Sequence, residues 1–402
     1  MALSRSTRVN FLLGNGHFLS HFYQLCLPPL FLAWKGSFHV SFTELGLAIT
    51  LMAGTTAVLQ TPVGFLVDRY GARPFLIGGA LLMSLSLAAM GLATSFWQIL
   101  ILAPLSGMGN AVFHPADYAI ITGSVDTDRV GRAFSWHTFS GNLGFAAGPP
   151  VMALLVATIG WRAGVLAVGL LGVPVAISIM VQSRVLQDQM RQPVRRDAPA
   201  VASRTVLLSR TMLLFFAFYL LGSMAGSGLQ AWLITVLHTV KGIELTAASA
   251  ALTAYLLGVS VGVLTGGWFA DGHRRLLAVT TAAAIMTSAG VLLVVAVLPL
   301  PWFVVIGLML LAGLAGGCGR TPREVMLKEA SPPGQIGKVF GFVSSGLPLG
   351  TALTPVPFGF LIDRHHPELV LVLVATILFA SLFCLGGARI AARDVAVAVP
   401  AE

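Results

Sequence analysis

Long apolar runs recur along the whole chain, each about the length needed to cross a lipid bilayer. A hydrocarbon core of about 30 Å takes roughly 20 apolar residues in a helix. On that measure the sequence predicts spans at 9–33, 43–67, 74–94, 96–122, 133–158 and 163–183. After a polar gap come 211–238, 245–270, 276–297, 300–319 (extending to about 327), 339–362 and 368–388. Two uncharged runs are too long for one helix. The first, 74–116, divides at 91–95, and the second, 276–319, divides at 299–301, where Gly, Ser and Pro interrupt. Twelve spans result, and the predicted class is an all-α membrane protein.

Composition agrees with that reading. Of the 402 residues 56% are hydrophobic and only 10% charged, with a mean hydropathy of +0.87. A soluble domain carries about 25% charged residues, so this chain cannot cover a water-facing surface and takes lipid as its solvent. The net charge of +9 suggests nucleic acid only until the basic residues are placed. With both termini inside, 19 Lys and Arg fall in cytoplasmic segments and only Lys35, Arg162, Lys241 and Arg364 fall outside. That bias sets orientation, and no nucleic acid is expected. Arg5 and Arg8 precede the 9–33 run, longer than the about 7–15 apolar residues of a signal peptide and without a clean cleavage site. The first span is therefore expected to stay in the protein, and the location to be a bacterial inner membrane. Cys26, Cys318 and Cys384 are far apart in apolar stretches and read as small hydrophobes.

The chain repeats itself. A shift of 206 residues places Gly107 on Gly313, Gly131 on Gly337, Phe134 on Phe340, Gly144 on Gly350 and Pro149 on Pro355. A shift of 203 places Thr43 on Thr246, Gly64 on Gly267 and Asp68 on Asp271. The repeat implies two six-helix halves, 1–183 and 211–402, joined by a polar cytoplasmic linker at 184–210.

After the second span the residues run Gly64, Phe65, Leu66, Val67, Asp68, Arg69, Tyr70, Gly71, Ala72, Arg73; the repeat partner carries Gly267, Asp271, Arg274 and Arg275. A glycine one turn before an acid lets a neighbouring helix approach. The acid then faces that helix's positive end, and the arginines hold the loop in the cytoplasm. Both segments resemble the signature G-x-x-x-D-R-x-G-R-R of the major facilitator superfamily. The resemblance implies two parallel-repeated bundles rocking about a midplane cavity, with this cluster latching one access state and no cofactor required. The fifth span carries Gly144, Gly148 and Pro149 in GNLGFAAGPP, which resembles the superfamily's antiporter motif and implies export. Its closing glycine pair is replaced by Met152 and Ala153, and the same residues suit helix packing and a kink equally well.

In the fold so implied, spans one, four, seven and ten line the cavity. Span one carries His17, His21 and Gln24, and span four carries Asn110, His114 and Asp117. In each set the spacing of four and three puts all members on one helical face. Ionisable groups inside a span are costly and usually face a cavity, and imidazole titrates near pH 6.5, which suits proton exchange. His114 with Asp117 forms one candidate protonatable pair, and His17 with His21 another. Two histidines four apart also permit a metal ion, but no third ligand stands beside them in sequence, so none is expected. The 107–115 block GMGNAVFHP, followed by the GNLG and GP of span five, resembles the fosmidomycin-resistance branch. That implies a drug or small-molecule exporter driven by proton exchange. The branch carries Glu directly after the proline, whereas here Ala116 stands there and the acid comes at Asp117.

Span ten presents Arg320, partner of His114 in the repeat, with Arg323 and Glu324 nearby. Left unpaired, Arg320 would anchor an anionic cargo; the alternatives are pairing with Glu324 one turn on or with Asp117 across the cavity. Tyr219, Gln230 and Tyr255 are further cavity candidates. The chain has no phosphate-binding G-x-x-x-x-G-K-S/T loop, nucleophile elbow or zinc-helix pattern, which argues against an ATP-driven pump or an enzyme. The expected function is proton-coupled export of a small organic molecule by a monomer. The alternatives are proton-coupled uptake of an organic anion on Arg320 and a sensor that kept the fold.

Overall fold

The computed structural model describes residues 5–125, 130–187, 206–331 and 336–398. The side chains of Asp68, Asp271 and Arg274, and most of the 184–210 linker, lie outside the described residues. Among the described residues every regular element is helical. In the first half these are α1 (Arg5–Cys26), α2 (Phe31–Phe38), α3 (Phe42–Tyr70), α4 (Ala72–Met90), α5 (Phe96–Asn110), α6 (Phe113–Ser124), α7 (Val130–Ile159) and α8 (Trp161–Val181). The second half follows with α9 (Arg210–Lys241), α10 (Leu245–Gly272), α11 (Leu277–Val297), α12 (Trp302–Cys318), α13 (Arg320–Glu329), α14 (Ile336–Ser344), α15 (Gly346–Leu353), α16 (Pro355–Asp363) and α17 (Leu369–Ala398).

Eleven segments among the described residues are long and apolar enough to cross a membrane. The twelfth is α1, whose Asn10, Asn15, His17, His21 and Gln24 interrupt its apolar run. The span predicted as one helix at 9–33 breaks after Cys26 into a turn, Pro28–Leu30, and then α2. The 96–122 span breaks between Asn110 and Phe113, and the span from 300 breaks at Gly319. Proline explains each break, because it lacks an N–H and its ring strikes the carbonyl four residues back. Pro115 reaches Ala111, Pro322 reaches Cys318, and Pro348 and Pro357 reach the ends of α14 and α15. Pro149 and Pro150, by contrast, sit within the continuous α7.

The glycines that the repeat pairs also pair in space. A Cβ on Gly107 would overlap the backbone of Met52, and one on Gly313 the backbone of Tyr255, so α5 on α3 and α12 on α10 meet in the same way. Gly144 lies against the Phe18 carbonyl and Gly350 against that of Leu220. Here lies the structural work of the GNLG segment: it brings α7 onto α1 backbone to backbone. Gly144→Val is expected to cost about 1–3 kcal/mol of packing and to lower the unfolding temperature in detergent. Gly386→Ala, where an added Cβ meets nothing within 4 Å, is expected to leave it unchanged. Gly64 does not behave as the sequence suggests, since a Cβ there would meet Pro115 at 3.8 Å, an ordinary contact. Gly71 does have a backbone reason: it links α3 to α4 at φ +86°, a region that favours glycine.

Two seams join the halves, α7 against α10 and α3 against α15 and α16. At the start of α3, Ser41 and Glu44 form a capping box. Beside it the Asp363 carboxylate, from the end of α16, accepts from the backbone N–H of Phe42 at 2.7 Å and of Thr43 at 2.8 Å, and from the Thr43 hydroxyl at 2.6 Å. A carboxylate on a helix N-terminus meets both free N–H groups and the positive end of the dipole. Trp232 strengthens the same end, donating to the Pro355 carbonyl at 3.0 Å and lying 4.9 Å from the Phe31 ring centroid.

Candidate functional site

A cavity of about 460 Å³ lies between the two halves. The first half contributes His21, Gln24, Asn110 and His114 to its lining, and the second contributes Gln230, Tyr255 and Arg320. Seven of the ten expected cavity residues therefore line it. His17, Asp117 and Tyr219 do not; they are buried behind the wall. Thr56, Gln60, Ser223, Ser227, Ser288 and Thr351 add polar groups that sequence reasoning missed. Short hydroxyls and amides inside apolar runs have no spacing that sets them apart from helix packing.

α1 and α6 bring three imidazoles together. The His17 ring centroid is 4.2 Å from that of His21 and 5.3 Å from that of His114, and His21 and His114 are 6.1 Å apart. Each offers a nitrogen within 4.8 Å of the others. The third imidazole beside His17 and His21 is thus His114, 97 positions from His17 along the chain. Gly141 makes room for this, because a Cβ there would come within 2.6 Å of the His17 ring and 2.9 Å of the His21 ring.

Asp117 does not pair with His114. Its carboxylate receives His137 Nε2 at 2.9 Å, and both side chains are buried. The His137 ring stacks on His17 at 3.5 Å between centroids, and its backbone carbonyl accepts from His17 Nδ1 at 2.7 Å. His137 escaped the sequence reading. It lies four, seven and eleven residues before Gly141, Gly144 and Gly148, hence on the face of α7 that meets α1. An ionisable residue on a packing stripe was the available signal.

Neither pairing expected for Arg320 forms. Glu324 is taken by Arg323 at 2.8 Å and by the Tyr219 hydroxyl at 2.7 Å, and the Arg323 guanidinium lies 4.0 Å over the Tyr219 ring. Asp117 is held by His137. Arg320 makes no hydrogen bond or ion pair to a described residue and is exposed to the cavity, whose described lining contains no Asp or Glu. At the loop after α3, Arg69 is exposed with its guanidinium 5.1 Å over the Tyr70 ring, and Arg73 sits in the first turn of α4. The Asp68 contact expected there falls outside the described side chains.

Comparison with known proteins places this geometry. The chain matches the Major Facilitator Superfamily over residues 13–305 and 237–394. The membrane sensor protein UhpC of Escherichia coli (strain K12) is 27% identical over 354 residues, covering 81% of this chain and 79% of the relative. The fosmidomycin resistance protein of the same strain is 26% identical over 368 residues, covering 88% and 86%. The multidrug resistance protein MdtH of Aeromonas salmonicida is 23% identical, covering 80% and 79%. The crystal structure of a bacterial homolog to the human lysosomal transporter Spinster, inward-facing and unoccupied, superposes with a TM-score of 0.75 at 15% identity over 98% of this chain and 96% of that one. Eleven membrane-length apolar segments among the described residues with α1 beside them, glycine contacts that recur at the repeat spacing and a polar cavity agree with the family match: the chain belongs to the Major Facilitator Superfamily, as a multi-pass membrane transporter of a small molecule.

Proposed function

We propose that this transporter exports a small organic anion in exchange for protons, by alternating access across a bacterial inner membrane. The observation that carries the reading is Arg320, unpaired in a cavity whose described lining holds no carboxylate. A guanidinium that faces a cavity with no protein carboxylate on its described wall favours an anionic partner, which it can hold with two parallel hydrogen bonds. Protons enter through Asp117, a buried acid one step behind the cavity wall, with His137 positioning it. Names of two relatives, a fosmidomycin resistance protein and a multidrug resistance protein, support export.

In this reading the halves 1–183 and 211–402 rock as units on the 184–210 linker, both termini are cytoplasmic, and a monomer in the bilayer suffices. The Asp363 cap on α3 closes the outer end. The loop of Gly64, Asp68, Arg69, Gly71 and Arg73, with its repeat at Gly267, Asp271 and Arg274, closes the inner end in the other state. The test is flux in proteoliposomes under an imposed pH gradient, offered anionic, neutral and cationic compounds. Anion movement against the proton gradient is expected. Flux indifferent to the gradient would remove proton coupling, movement with the protons would reverse the direction to uptake, and selection of cations would remove the anion reading.

A further inference from the structure

We infer that His17, His21 and His114 form a binding site for a divalent first-row transition-metal ion, open on one side to the cavity. Proximity alone would not carry this; a ring nitrogen left buried and without a partner on each of the three histidines does. His17 Nδ1 lies 2.7 Å from the His137 carbonyl, an acceptor only, so Nδ1 holds the proton and Nε2 carries the lone pair. His17 Nε2, His21 Nδ1 and His114 Nδ1 are all buried and without a hydrogen-bond partner among the described residues. Unpartnered nitrogens in a lipid-embedded bundle are costly, and here three belong to rings whose ligand atoms fall within 4.8 Å of one another.

Imidazole is the ligand that zinc, copper, nickel and cobalt share, at about 2.0–2.1 Å from the metal in the case of zinc. A tetrahedral ion requires nitrogens roughly 3.4 Å apart. Rotation of the ring side chains supplies the closure from 4.8 Å or less. The supporting contacts are those of a metal-bound histidine. The His17 N–H is anchored on a backbone carbonyl, which fixes tautomer and ring plane, and His137 stacks beneath that ring with its own nitrogen on the Asp117 carboxylate. Three protein ligands leave the fourth position to water or to a donor atom of the cargo. Since His21 and His114 line the cavity, that position faces it. All three ligands come from α1 and α6, within one half, so binding does not lock the halves together.

The experiment uses the purified, tag-free full chain in detergent, titrated with Co²⁺ and followed by visible absorption, then with Zn²⁺ in competition. One Co²⁺ per chain is expected, with the intense bands of a four-coordinate nitrogen site, displaced by Zn²⁺. His17→Gln, His21→Gln and His114→Gln are each expected to weaken binding at least tenfold. The triple variant, which keeps the other six histidines, is expected to lose the bands. A weak six-coordinate spectrum in the wild-type protein would overturn the assignment even if no variant folds. So would triple-variant binding equal to that of the wild type, which would place the ion on other histidines.

Discussion

Arg320→Gln is expected to abolish net transport of the anionic cargo, with binding to the purified protein weakened 100-fold or more. The scale follows from what is removed. A charge-assisted hydrogen bond inside a protein contributes about 1.5–3 kcal/mol, and a bidentate guanidinium supplies two of them. No neighbour replaces it, because Arg323, the nearest other cavity cation in sequence, is neutralised by Glu324 at 2.8 Å. Fold and surface expression should be intact, since Arg320 makes no bond to a described residue that its loss would break. Equilibrium binding of the transported anion, alongside liposome flux, checks this. A variant that binds and moves the anion like the wild type would end the role of Arg320 as anchor. Arg320→Lys separates charge from shape: a point charge without the planar fork should restore part of the affinity and not all of it.

The second large effect belongs to Asp117. Asp117→Asn keeps the volume and a hydrogen bond to His137 but takes away the group that gains and loses the proton. Accumulation driven by an imposed pH gradient is expected to fall to background, while exchange of labelled for unlabelled cargo at equal pH continues. That division distinguishes lost coupling from lost folding, which would remove both. Full gradient-driven accumulation by the variant would put proton entry elsewhere. Because carboxylate and imidazole are both buried at 2.9 Å separation, Asp117→Ala should do more harm: it strands His137 without its partner, at a cost of about 1–3 kcal/mol.

Much of the architecture was legible because lipid imposes it. Backbone groups in the hydrocarbon are satisfied most readily within a helix, so hydropathy yields eleven of the membrane-crossing segments, and the repeat points to the glycine contacts that recur between them. Gly107 and Gly313, aligned at a shift of 206, do lie on corresponding backbone positions, Met52 and Tyr255. The helix breaks were less visible, although the prolines that cause them were in plain view. Pro149 and Pro150 sit within a continuous helix and Pro115 follows a break, so a proline in the sequence does not by itself mark where a helix divides.

The site divides along a similar line. Helical spacing grouped His17, His21 and Gln24 on one face and Asn110, His114 and Asp117 on another. Of these His21, Gln24, Asn110 and His114 line the cavity, while His17 and Asp117 lie behind it. Partner choice is not local. Glu324 stands in sequence where it could serve Arg320 or Arg323, and in the fold it is held by Arg323 together with Tyr219 of α9. Asp117 looked like the companion of His114, three residues away, until α7 placed His137 against it. The third member of the imidazole cluster was hidden for the same reason, because 97 positions separate His17 from His114.

The clasp between Asp363 and the start of α3 is lopsided in its dependence on side chains. Two of its three donors are main-chain N–H groups, which every residue except proline carries, and the acceptor is one carboxylate. The main-chain part of the clasp therefore survives most substitutions at positions 42 and 43, even though Phe42 is a buried core residue for its own packing, whereas position 363 has almost no synonyms. Mutational robustness is thus concentrated on one side of the seam, and fragility on the other falls on a single atom group. A random library of this transporter would record that asymmetry as an intolerant point at position 363, more than 300 residues from the main-chain donors it holds.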